Sequence, residues 1–254
     1  MSMFDFAGKT AIVTGSGSGI GRRIAERFYE AGANVVFCAR RQEKGAQLLE
    51  EVAGGDMTRF LYCAADVSTP EGLDRIFAAT VETFGAPDIL VNNAGIWSAG
   101  GIFDETEEQW DTVMNVDVKS VFFASQRFAR LCREADKPGS IVNIASMNAA
   151  RVRPNCAAYN VAKTAVKTIT ETFALEGGPY GIRANAVGPG SIPTPLNAAA
   201  YAKPGVEEAY NATVPLGRRG TTDEVADAVL FLASDNASYL TGQTIYAEGG
   251  WLLH

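Results

Sequence analysis

Lys9-Thr-Ala-Ile-Val-Thr-Gly-Ser-Gly-Ser-Gly-Ile-Gly21 is the stretch whose reading decides the fold. Ala11 to Val13 is a short apolar run ending in two β-branched residues, and it reads as a buried strand. It leads through Thr14 into Gly15, Gly17, Gly19 and Gly21. Beyond them Ile24, Ala25 and Phe28 recur at helical spacing among Arg22, Arg23, Glu26 and Arg27. Strand, glycine turn and helix in this order form a dinucleotide cradle. Glycines let the backbone turn tightly and come close to a pyrophosphate, and the helix start offers free N–H groups and a positive dipole end. The G-x-G-x-x-G spacing does not fit, because its last position falls on Ile20 or Arg22. What fits is Thr-Gly-x-x-x-Gly-x-Gly, Thr14 to Gly21.

Composition narrows the function classes. The chain has 254 residues, 47% of them hydrophobic, and a formal net charge of −7. That charge disfavours a nucleic-acid footprint and docking on an anionic membrane. No run approaches the roughly 18 apolar residues of a membrane span, and Met1 to Gly8 has no secretory pattern. Cys38, Cys63, Cys132 and Cys156 are scattered without a C-x-x-C, which reads as reduced cytoplasmic thiols. There is 1 histidine, His254, at the end of the chain. Ser-His-Asp, Cys-His and H-E-x-x-H chemistries are therefore disfavoured, no metal site is expected, and proton transfer falls to Tyr, Lys, Asp, Glu or Cys.

Strand and helix patterns alternate to the end of the chain. Apolar runs at 34–38, 59–64, 89–91, 140–145, 183–187 and 244–247 follow the first strand. Helical patterns lie between them, with capping boxes expected at Ser68-Thr-Pro-Glu71, Thr106-Glu-Glu-Gln109 and Thr221-Thr-Asp-Glu224. One long helix is expected from the second box to about Glu134. The expectation is a single α/β domain over residues 1–254: a Rossmann-type, doubly wound parallel sheet of about seven strands with helices on both faces. Residues 191–214 break the rhythm after a strand's C-terminal end, and are expected to form a substrate lid.

Tyr159 and Lys163 are four apart on a helical pattern, so their side chains share a face. An ammonium beside a phenol favours the phenolate, which makes the pair an acid–base device for alcohol–carbonyl interconversion. Ser146, just after the apolar run Ile141 to Ala145, offers a hydroxyl for a substrate oxygen.

Together these motifs resemble the short-chain dehydrogenase/reductase family in its compact form, over nearly the whole chain. Thr14 to Gly21 is similar to the family's cofactor glycine motif, Asp66-Val67 to the pair whose Asp contacts adenine, and Asn92-Asn-Ala-Gly95 to the segment beside the cofactor. Pro189-Gly190 with Ile192 and Thr194 resembles the segment around the nicotinamide. The resemblance implies a catalytic tetrad of Asn115, Ser146, Tyr159 and Lys163. Tyr159 would exchange the proton, Ser146 orient the substrate oxygen, and Lys163 lower the Tyr159 pKa and bind ribose. Asn115 would hold a relay water through its main chain. The resemblance also implies cofactor contacts from Gly15, Ser16, Ser18, Gly19, Ile20 and Gly21, from Asn93, Ala94 and Gly95, and a homotetramer.

Two cofactors suit this design. An NAD site places an acid at the end of the second strand, about 20 residues past the glycines. Here Ala39 stands 18 residues after Gly21, and Arg40 and Arg41 follow. A guanidinium suits a 2′-phosphate, so NADP(H) is expected over NAD(H). With the family's geometry, Trp97, Met147, Asn148, Val152 and Cys156 would join Ser146 along the substrate pocket. The expected substrate is a small free ketone or secondary alcohol, sugars and polyols included. A 3-oxoacyl-thioester reductase, whose acidic carrier would need a basic patch such as Arg127, Arg130 and Arg133, is the alternative. A non-catalytic NADP-binding regulator is a second alternative, disfavoured by the complete tetrad.

Overall fold

A computed structural model describes residues 4–253; Met1 to Met3 and His254 lie outside the described residues. Seven strands pair in parallel in the order β3-β2-β1-β4-β5-β6-β7. They are β1 (Thr10–Thr14), β2 (Asn34–Ala39), β3 (Phe60–Ala64), β4 (Ile89–Asn92), β5 (Gly139–Ile144), β6 (Ile182–Pro189) and β7 (Thr244–Ala247). The order reverses between β1 and β4, and a crevice opens at such a switch point beyond the strands' C-terminal ends.

The strands are apolar because both faces of the sheet are covered. Alternate residues of a strand point to opposite faces. Ala11 and Val13 of β1 join Val35 and Phe37 of β2 in one core, against Ile24 and Phe28 of α1 (Gly19–Glu30) and Val225 and Val229 of a helix near the end of the chain. Ile12, Val36 and Cys38 face the other way, against Ile76 and Phe77 of a second layer of helices and Phe128. Between these strands run α2 (Lys44–Ala53) and α3 (Pro70–Phe84).

Two of the three expected capping boxes form. Thr106 caps α4 (Glu107–Met114) reciprocally with Gln109. Thr221 does the same with Glu224 at the start of α9 (Thr222–Ala233), which is the late helix of the first core. The third differs: Thr69, not Ser68, caps α3 by accepting from Gly72 N–H, while Ser68 Oγ donates to Asp66. Pro70 at the first helical position fixes that start.

The long helix expected from Thr106 is interrupted. After α4 a π-helical turn, Asn115–Lys119, precedes α5 (Ser120–Glu134), with the N–H of Ser120 reaching Asn115 O. The helix α6 (Ala157–Gly177) packs beside it. Residues 191–214 carry two short helices, α7 (Ala198–Tyr201) and α8 (Val206–Asn211). The buried Arg219 ties this segment down, donating to Ser191 Oγ at 3.0 Å and to Asn197 Oδ1 at 3.1 Å, and stacking 3.7 Å from the Tyr201 ring centroid.

Candidate active site

A cleft of about 840 Å³ lies over the C-terminal ends of the central strands. Its floor at one end is the glycine turn. Gly15 has φ +66°, and a Cβ there would meet the Ala94 backbone at 2.8 Å. A Cβ on Gly21 would collide with Asn93 and Gly15 O, so helix, turn and β4 loop meet only where no side chain intervenes. Two side chains fasten this meeting. Thr14 Oγ1 accepts from Asn93 N–H at 3.0 Å and Ala94 N–H at 3.1 Å, and Asn93 Nδ2 donates to Thr14 O at 2.9 Å. α1 starts at Gly19 with no side-chain cap and no acidic residue in its first turn. Its uncapped N–H groups face the cleft as an anion site requires, and the bare cradle fits a dinucleotide pyrophosphate.

Most of the expected nucleotide residues line this cleft: Gly15, Ser18, Gly19, Ile20 and Gly21 of the turn, Asn93, Ala94 and Gly95 of the β4 loop, and Asp66 and Val67 after β3. Arg40 and Arg41 line it as well, beside Ala39, with no acid at the end of β2. Lys44, at the start of α2, adds a third cation there that the sequence reading missed, although Arg40-Arg-x-x-Lys44 puts it one turn on. At the other end Pro189, Gly190, Ile192 and Thr194 form a wall with Leu196 and Asn197 of the 191–214 segment.

Ser16 is a correction. Its side chain is fully buried, with Oγ donating to Val13 O at 2.9 Å and accepting from Cys38 N–H at 2.8 Å. It clips β1 to β2 and is absent from the cleft lining.

The chemistry-bearing end gathers Ser146, Tyr159 and Lys163. Ser146 follows β5; its Oγ accepts from Asn148 N–H at 3.2 Å, and its hydroxyl is also within hydrogen-bond reach of the Tyr159 phenol. Tyr159 and Lys163 stand on α6, with Nζ 5.5 Å from the phenol ring centroid. Burial pushes the Tyr159 phenol up, Lys163 pulls it down, Asp117 pushes it up, and the Ser146 hydrogen bond pulls it down; the result lies above the ordinary tyrosine value. Burial works against the Lys163 charge, yet the Asp117 carboxylate overrides it and Lys163 is held above the ordinary lysine value. A phenol kept protonated beside a fixed ammonium is a proton donor for a carbonyl oxygen.

Asn115 is not in this cluster. It opens the π-helical turn with its side chain exposed and takes no part in the cleft wall. Asp117 holds that place: it is fully buried, lines the cleft, and pairs with Lys163 at 3.0 Å. A sequence signal was available. Val113, Asp117, Val121, Ala124 and Phe128 recur at helical spacing, and Asp117 is the charge in that apolar stripe.

Five residues expected along the substrate wall, Trp97, Met147, Asn148, Val152 and Cys156, are absent from the cleft lining, which corrects that expectation. Met147 turns away to pack against Tyr210 and Val214. Asn148 Nδ2 donates to Asn160 Oδ1 at 2.8 Å and lies 3.5 Å from Cys156 Sγ, so Asn148 and Cys156 form a buried clasp behind the cleft. Burial raises the Cys156 thiol above its ordinary value, so it stays a thiol at neutral pH. Val152 is 70% exposed and outside the lining. Trp97 is half-exposed, one residue beyond the cleft-lining Ile96.

A nucleotide cradle that ends on a phenol, a hydroxyl and a buried ammonium is the layout of an alcohol–carbonyl oxidoreductase. Comparison with known proteins agrees. A family model described as enoyl-(acyl carrier protein) reductase matches residues 15–252. The 3beta-hydroxysteroid dehydrogenase 1 of Eggerthella lenta is 39% identical over 98% of this chain and 96% of its own. The glucose 1-dehydrogenase of Gluconobacter oxydans is 35% identical over 98% and 94%. A crystal structure of a gluconate 5-dehydrogenase from Burkholderia cenocepacia in complex with NADP and tartrate has a TM-score of 0.93 at 33% identity, covering 99% of this chain and 98% of that one. The chain belongs to the short-chain dehydrogenase/reductase family, and is an oxidoreductase acting on CH–OH donors.

Proposed function

We propose that this enzyme interconverts an uncharged secondary alcohol and its ketone, with NADP(H) favoured over NAD(H) and residues 191–214 acting as the lid. The observation that carries the reading is the Ser146, Tyr159 and Lys163 cluster at the end of the nucleotide cleft. When bound, the nicotinamide supplies or accepts the hydride. Tyr159 Oη gives its proton to the carbonyl oxygen in reduction and takes one from the hydroxyl in oxidation. Ser146 Oγ–H donates to the same oxygen and fixes it. Lys163 Nζ spends two of its three protons on the protein, on Ile144 O at 3.1 Å and Asp117 at 3.0 Å. The third remains for a ribose hydroxyl.

Charge supports an uncharged substrate. Among the described residues lining the cleft, the cations Arg40, Arg41 and Lys44 sit at the β2 end, and Lys163 is already paired. The polar lid residue Asn197 is spent internally, on Ile192 O, Thr194 N–H and Arg219. The cleft lining also includes the apolar Ile96, Ala145, Ile192 and Leu196. The enzyme is therefore expected to turn over neutral cyclic or branched secondary alcohols with higher kcat/KM than sugar acids, and steady-state kinetics on matched pairs checks this. The thioester alternative gains little, since Arg127 of its would-be basic stripe is paired with Asp74 at 2.7 Å.

Arg40 and Arg41 support NADP(H). The wild type is expected to prefer NADPH, and Arg40→Ala to lose about 10–100-fold in kcat/KM with NADPH but little with NADH, from one charge-assisted contact of roughly 1.5–3 kcal/mol. An equal loss with both cofactors would refute the assignment. A homotetramer is supported by the partly exposed Trp110, Phe123 and Val161 on α4, α5 and α6, and sedimentation velocity tests it. Four free, buried cysteines are in keeping with the cytoplasm.

A further inference from the structure

We propose that Asp117 is a positioning residue that fixes Lys163 and sets the pH range over which Tyr159 exchanges its proton. The proposal rests on the Tyr159 reading above. Asp117 is fully buried, and its two carboxylate oxygens are used differently. Oδ1 accepts from Ile96 N–H at 2.8 Å, which anchors the side chain to the β4 loop. Oδ2 faces Lys163 Nζ at 3.0 Å and has no hydrogen-bond partner beyond that ion pair among the described residues. Gly95 makes the room: a Cβ there would stand 2.8 Å from Oδ2 and 3.3 Å from Nζ.

A buried carboxylate is costly unless paired and hydrogen-bonded, and here one hydrogen bond and one ion pair meet that requirement. The arrangement has a chemical consequence. Lys163 alone would draw the Tyr159 phenol toward the phenolate, and Asp117 opposes that pull. Tyr159 thus faces one cation and one anion instead of a lone cation. The other titratable groups near it are Cys156, just before the start of its helix, and Glu105, whose Oε2 meets Ala158 N–H at 3.4 Å from the loop packed on the start of α6. Neither contacts Lys163. Asp117 therefore keeps the phenol protonated to higher pH, which extends its range as a donor to a carbonyl and delays its use as a base.

The sign is testable. In Asp117→Asn the Oδ1 hydrogen bond can persist while the charge is gone. The Tyr159 midpoint should fall by about one pH unit. Two readouts follow. In the cofactor-free full chain, the ¹³Cζ resonance of Tyr159, assigned by its loss in Tyr159→Phe, should titrate at lower pH than in wild type. In steady-state kinetics, the alkaline fall of the reduction rate and the rise of the oxidation rate should both move down by the same amount. A folded Asp117→Asn protein with an unmoved midpoint, losing activity equally at all pH, overturns the proposal. So does an upward move, which would mean that Lys163 sheds its proton once Asp117 is neutral. Asp117→Ser is the second variant; if neither variant folds, Asp117 is a structural residue only and the proposal fails. Tyr159→Phe separates the two readings: if it stays active, the acid–base assignment falls, whereas an unmoved midpoint with an inactive Tyr159→Phe removes the role of Asp117 alone.

Discussion

Tyr159→Phe is expected to lower kcat by about 10²–10⁴-fold, the usual worth of a positioned acid–base group. The reduced nicotinamide cofactor should still bind, and the unfolding midpoint should change little. The substitution removes one oxygen and leaves the ring between its neighbours on α6. The Lys163–Asp117 pair is untouched, because neither partner hydrogen-bonds through that oxygen to hold its place. Turnover should therefore be lost with the cradle intact. The check is single-turnover hydride transfer followed at the reduced-nicotinamide band, beside binding of the reduced cofactor by fluorescence. Residual activity within about tenfold of wild type would shift the proton to another group, since acid–base catalysis is worth at least 10² where it operates. Cys156 is a poor substitute, because its raised thiol is engaged with Asn148 and Arg153 O behind the wall.

The fold and the glycine turn were legible because each followed from local physics. Strands covered on both faces read as apolar runs, as Asn34 to Cys38 does, and the partly buried edge strand Thr244–Ala247 carries a shorter one. The boxes at Thr106 and Thr221 announced helix starts through their own side chains. Ser68 misled because Ser and Thr are adjacent there and only geometry chooses which hydroxyl reaches Gly72 N–H. The π-helical turn at Asn115–Lys119 carries no proline or glycine to mark it. Asn115, implied by the family resemblance, and Asp117, the charge in the apolar stripe, stand two apart on that turn, and only its geometry brings Asp117 into the cleft. The substrate wall was least legible. Met147 and Asn148 lie next to Ser146 in the chain, but the 3₁₀ turn at Met147–Ala149 sends their side chains to Tyr210 and Asn160. Sequence neighbours of a cleft residue need not share its cavity.

Lys163→Met should be the most destabilising single change in the site, by about 3–5 kcal/mol, the cost of leaving one member of a buried pair without its partner. Both side chains are nearly inaccessible, at 5% for Lys163 and 0% for Asp117, so solvent does little to screen the remaining charge. Methionine keeps most of the volume, which confines the loss to the charge and to the bond to Ile144 O. Activity should fall with stability, because the pull of Lys163 on Tyr159 is lost with the charge. The double variant Lys163→Met with Asp117→Asn separates these effects. It should recover much of the stability, since no buried charge is left alone, and none of the activity. Urea unfolding of the four proteins at neutral pH measures the cycle. The pair's contribution should be full below the ordinary lysine value of 10.5 and fade as pH rises through the higher value held in the folded chain. A Lys163→Met protein as stable as wild type would mean that the ion pair with Asp117 has no part in holding the site.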